Sequence, residues 1–116
     1  MRALLWVGSS KRDLLQMPDK VQSDIGFALY LAQLGDKHSS AKPLKGFGSA
    51  GILEVVEDFD GDTYRAVYTV RFANAVYVLH CFQKKSTHGI AMPKSDSDLI
   101  ERRLRAAELD SRGISK

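Results

Sequence analysis

The chain has 116 residues, 44% of them hydrophobic and 27% charged, and 17 Lys and Arg against 14 Asp and Glu give a net charge of +3. That size and balance fit a single domain over residues 1–116 with its own core, and they exclude a low-complexity disordered chain. The apolar runs Ala3 to Val7 and Ala75 to Leu79 fall far short of the roughly 20 residues that span a bilayer, so no membrane segment is expected.

Arg2 to Val7 is an apolar run stopped by Gly8-Ser9-Ser10. It reads as a first strand, since one basic residue and so short an apolar stretch do not make a signal peptide. Ser10 with Asp13 resembles a capping box for a short helix that carries Leu14, Leu15 and Met17 and is broken by Pro18. From Asp19, Val21, Ile25, Ala28 or Leu29, and Ala32 recur at helical spacing up to Gly35. The two segments form a helical hairpin whose apolar stripe needs a sheet to cover.

Gly35 to Gly51 is rich in Gly, Ser and Lys and has neither period, which predicts a loop with a short strand around Leu44 to Phe47. Three β-rich runs follow, Ile52 to Phe59, Tyr64 to Arg71 and Ala75 to Phe82, separated by Asp60-Gly61-Asp62 and Phe72-Ala73-Asn74. They form an antiparallel meander. In its middle strand Arg65, Val67, Thr69 and Arg71 share one face, and Tyr64, Ala66, Tyr68 and Val70 the other. Pro93 introduces a last helix with Ser95 and Asp98 at its start and Leu99, Ile100, Leu104 and Ala107 as its stripe. Asp110 to Lys116 is polar and expected to fray. The fold class is α+β, with the helices packed on one face of a small sheet.

A single cysteine, Cys81, allows no internal disulfide and fits a reducing cytoplasm. With His38, His80 and His88 in separate segments, it offers no metal-ligand spacing; neither metal nor cofactor is expected.

The segment from Lys42 to Leu109 carries a Leu-Lys-Gly before the meander, a Leu-Glu-Val opening it, a Tyr-Arg-x-x-Tyr in its middle strand and a His-x-Phe-x-Lys-Lys at its end. In this order and spacing the motifs resemble RelE/HigB-type toxins of bacterial type II toxin–antitoxin systems, most closely their phage-derived HigB-like branch. The resemblance implies a RelE/ParE-like domain that enters the ribosomal A site, cuts mRNA and is neutralised by a helix-turn-helix, HigA-like antitoxin in a hetero-oligomer. A ParE-like gyrase inhibitor and an inactive antitoxin-binding member are the alternatives.

RNA cleavage without a metal needs a base for the 2′-hydroxyl, cations for the scissile phosphate and an acid for the departing 5′-oxygen. By resemblance, Arg65 is the phosphate-binding arginine, its planar fork suiting that group, and Lys84 and Lys85 are the phosphate clamp. His88, beside these cations, is the candidate base, with Tyr68 and His80 as alternatives. Lys42 and Lys45 are candidate RNA-backbone contacts. Glu54 could orient Arg65 across the strands or act as a base, and Tyr68 is the second candidate orienting residue. Against RNA binding stands an acidic run of Glu54, Glu57, Asp58, Asp60 and Asp62.

Overall fold

A computed structural model describes residues 1–48, 51–84 and 92–114. The elements run β1 (Ala3–Trp6), α1 (Ser10–Leu15), α2 (Asp19–Gln33), β2 (Ala41–Pro43), β3 (Ile52–Phe59), β4 (Asp62–Thr69), β5 (Ala75–Lys84) and α3 (Lys94–Ile114). The five strands form one sheet in the order β1-β5-β4-β3-β2. The expected meander of β3, β4 and β5 is antiparallel throughout, β2 adds an antiparallel edge, and β1 lies parallel to β5 on the other side. The architecture is the α+β arrangement expected, with the short strand before the meander lying three residues earlier than its composition suggested.

Local chemistry explains the turns. Asp60 and Gly61 join β3 to β4 with φ of 53° and 84°, the left-handed pair of a type I′ hairpin, whose twist matches that of the strands. Gly35 at φ 88° ends α2, where the Gly35 N–H donates to Ala32 and that of Asp36 to Leu31. Those two bonds satisfy carbonyls that the helix end leaves free. Ser9, rather than Ser10, flanks α1, and its hydroxyl donates to the Asp13 carboxylate instead of accepting from a backbone N–H.

The sheet is covered on both faces, which corrects the one-sided packing expected from sequence. Leu14 and Met17 of α1 and Val21, Ile25, Ala28, Leu29 and Ala32 of α2 pack on Val55, Ala66, Tyr68, Val76, Val78 and Cys81. Helix α3 lays Ile100, Leu104 and Ala107 against Val67, Tyr77 and Leu79 on the opposite face. Each large side chain buried this way contributes about 1.5–3 kcal/mol relative to its exposed state. The frayed tail expected from Asp110 also gives way: α3 continues to Ile114, and the Tyr77 hydroxyl donates to Asp110 at 2.8 Å.

Midway along α3, Arg103 donates to the Leu79 carbonyl at 2.9 Å and to the Ser9 hydroxyl at 3.1 Å. Ser10 donates to the neighbouring Val78 carbonyl. These bonds serve the side of β5 that β1, which pairs only as far as Val78, no longer covers.

Candidate functional site

The site is built on the α3 face of the sheet, at the end of β5 away from β1. Its position depends on an irregularity. Val67 pairs with His80 but the next residue, Tyr68, pairs with Val78, so Leu79 is an extra residue in β5. A bulge reverses the phase of everything beyond it. Val76, Val78 and Cys81 therefore face the helical hairpin, while Leu79 and Phe82 face α3. His80, which strict alternation would have buried beside Val78, meets Asp96 of α3 instead, its Nε2 2.9 Å from Oδ1.

Arg65 lies directly opposite Phe82 in the β4–β5 ladder, and Thr63 opposite Lys84. Cross-strand partners share a face, so Arg65, Phe82 and Lys84 are brought to one surface. The Arg65 guanidinium carbon is 5.8 Å from the Phe82 ring centre, within cation–π range, and the Phe82 ring stacks on His80 at 4.3 Å and 15°. Glu54 of β3 faces the same way, with Oε2 3.2 Å from Arg65 Nε, and Lys42 of β2 reaches Glu54 Oε1 at 3.9 Å.

The Arg65–Glu54 pair is close but poorly aligned. Arg65 and Glu54 are 8% and 7% exposed, yet Nε and Oε2 form no hydrogen bond with each other or with any other described residue. Among the described residues the two terminal nitrogens of Arg65 have no hydrogen-bond partner either. A buried guanidinium so loosely held retains most of its donor capacity for an anion, and its attraction is stronger than it would be in water.

The remaining sequence candidates are placed as follows. Lys84 ends β5 on the Arg65 face. Lys45 is exposed in the turn after β2. Tyr68 is on the opposite face, fully buried under the hairpin helices, with its hydroxyl unpartnered among the described residues and pushed up to about 12 by that burial. It is not brought to Arg65. Lys85 and His88 lie outside the described residues.

The acidic run is dispersed by strand geometry. Glu57 faces the hairpin helices, where burial and Asp24 of α2 together push its carboxyl up to about 7. Asp60 is in the turn, and Asp58 accepts from the Thr63 hydroxyl. Glu54 and Asp58 alone among these acids share the Arg65 face, and both are engaged. The Cys81 thiol, pushed up to about 12 chiefly by burial, is an inert core group.

Phe82 and Asp96 were absent from the expected site. The signal was present in Val-Tyr-Val-Leu-His-Cys-Phe: unbroken alternation puts a histidine among core valines, which is the mark of a phase change.

A strand, a helical hairpin, an antiparallel meander and a closing helix make an α+β arrangement consistent with a RelE-like fold. Residues 12–105 match the model of the family described as Phage derived protein Gp49-like (DUF891). The match covers most of the chain, which belongs to this family of RelE-like toxins. No curated protein matches it significantly.

Proposed function

We propose that the protein is the toxin of a phage-derived type II toxin–antitoxin module of HigB type and that it cuts mRNA on the ribosome. The observation that carries this reading is the buried Arg65 guanidinium, ion-paired with Glu54 but without a hydrogen bond to any described residue, on the same face as Lys84, in a chain of a RelE-like toxin family.

In the cleavage the 2′-oxygen attacks phosphorus, the bond to the 5′-oxygen breaks, and a 2′,3′-cyclic phosphate and a 5′-hydroxyl result. Arg65 holds the non-bridging oxygens as their charge grows, and Lys84 adds a second cation. The pair with Glu54, already off hydrogen-bond alignment, yields as the phosphate takes over the fork. His88 remains the candidate base, Lys85 the second candidate lysine of the phosphate clamp, and Lys42 and Lys45 the candidate contacts to RNA backbone.

Ribosomes and mRNA place this work in the cytoplasm. The partner is a helix-turn-helix antitoxin of HigA type in a hetero-oligomer. No helix among the described residues is long and apolar enough to cross a membrane.

Controlled expression in bacteria tests the reading, with transcript ends mapped after induction. Growth arrest with new cuts inside translated frames is expected. Arrest with intact transcripts and inhibited gyrase would assign the chain to the ParE-like alternative.

A further inference from the structure

His80 is a polar side chain where an apolar one would be cheaper. It is 7% exposed, and its Nδ1 is buried without a hydrogen-bond partner among the described residues, an arrangement that destabilises a fold. It is on this face at all because of the bulge in β5, and bulges recur beside functional sites as a means of re-aiming a side chain. Its partner Asp96 sits in the first turn of α3, and the first buried residue of that helix is Ile100. The His80–Asp96 pair thus ties the start of α3 to the sheet.

From this pair an unbroken line of contacts runs across three strands. Asp96 meets His80 at 2.9 Å, His80 stacks on Phe82 at 4.3 Å, Arg65 lies 5.8 Å from the Phe82 ring centre, and Glu54 lies 3.2 Å from Arg65 Nε. Glu54 meets the guanidinium at Nε without a hydrogen bond and so leaves its direction open. On its other side the charged carbon lies 5.8 Å from the centre of the Phe82 ring.

We propose that His80 and Asp96 are positioning residues for the phosphate-binding arginine: together they fix the Phe82 ring, and the ring fixes the direction of the Arg65 fork. This deepens the toxin reading and rests on it. Asp96 holds the imidazole through Nε2, the imidazole fills the space beside Phe82, and Arg65 is thereby spared the search among rotamers that would slow the chemical step.

The test is steady-state cleavage of mRNA on programmed ribosomes by the wild type and by Asp96→Asn, Asp96→Ala and Arg65→Ala, each first shown to be folded at the assay temperature by circular dichroism. Asparagine retains an oxygen that accepts from Nε2, and this variant keeps kcat within about threefold. Alanine removes it and lowers kcat about 10- to 100-fold with KM for the ribosome complex unchanged. The Arg65→Ala/Asp96→Ala double variant is no slower than Arg65→Ala, because the carboxylate acts through the arginine.

A second readout is the Arg65 Nε–H resonance in a nitrogen-15 spectrum, which moves in Asp96→Ala and stays near its wild-type position in Asp96→Asn. An unshifted resonance in Asp96→Ala overturns the inference whatever the kinetics show. So does full kcat in folded Asp96→Ala beside an inactive Arg65→Ala, an outcome that leaves the toxin reading standing. Wild-type cleavage by Arg65→Ala overturns the toxin reading and this inference with it.

Discussion

Arg65 and Phe82 are directly opposed across β4 and β5, and the guanidinium carbon lies 5.8 Å from the ring centre. A cation held against an aromatic face in a site this poor in water gains about 1–2 kcal/mol from the ring. Phe82→Leu keeps most of the apolar volume and loses that term. Urea denaturation should show a loss of about 1–2 kcal/mol, and a variant as stable as the wild type would mean that the ring does not hold the charge.

The other face carries a pH dependence. Glu57 is pushed up to about 7, first by burial, then by its hydrogen bond with Asp24 and the charge of Asp24, while Lys20 opposes the shift and Asp58 adds to it. Asp24 is held below the usual carboxylate range by the same bond, by Lys20 and by His38. Of the two carboxyls, Glu57 is the one driven toward the protonated form. Because the folded value of Glu57 exceeds its ordinary 4.5, the folded state binds more protons than the unfolded state between those values. Stability therefore falls as pH rises through that window. The melting temperature should drop between pH 5 and about 8, and Glu57→Gln, which still donates to Asp24, should flatten the drop. An identical slope in both proteins would contradict the raised Glu57 carboxyl.

Gly8 has φ of 58°, and a Cβ there would stand 2.8 Å from Arg103 Nε. Gly8→Ala incurs about 1–2 kcal/mol for the left-handed backbone. Displacing Arg103 from the Leu79 carbonyl and the Ser9 hydroxyl adds about as much again. A total loss of about 2–4 kcal/mol is expected from denaturant unfolding.

Tyr68 provides the opposite case. Its hydroxyl is fully buried without a partner among the described residues and on the face away from Arg65, so Tyr68→Phe removes an uncompensated polar group. Stability should be unchanged or higher by up to about 2 kcal/mol, with cleavage unaffected. A large fall in cleavage would return Tyr68 to the site.

The elements were legible because their periods are clean: Val21, Ile25, Leu29 and Ala32 mark one helix face, and Val67 and Tyr68 opposite faces of a strand. Arg65 and Glu54 could be set on neighbouring strands on paper, although the turn read as Asp60-Gly61-Asp62 is one residue shorter, and Glu54 lies opposite Val67, diagonal to Arg65. The bulge could not be placed, because one extra residue in β5 leaves the local composition unchanged while it turns His80, Phe82 and Lys84 over. The site of α3 was equally hidden. Its stripe of Leu99, Ile100, Leu104 and Ala107 needs an apolar surface, but β4 and β5 are apolar on both faces, and periodicity does not say which face a helix takes. Asp96 was missed for that reason: its partner is chosen by packing, 16 residues away.

The most direct test of the account is cleavage of mRNA bound to programmed ribosomes by the purified wild type, Arg65→Ala and Lys84→Ala, followed by mapping of the 3′ ends. The account predicts cyclic-phosphate ends from the wild type, a loss of about 100- to 1,000-fold in kcat for Arg65→Ala, and a smaller loss for Lys84→Ala that grows with salt. A wild type that leaves the message intact, or an Arg65→Ala variant that cuts it equally well, would contradict the account.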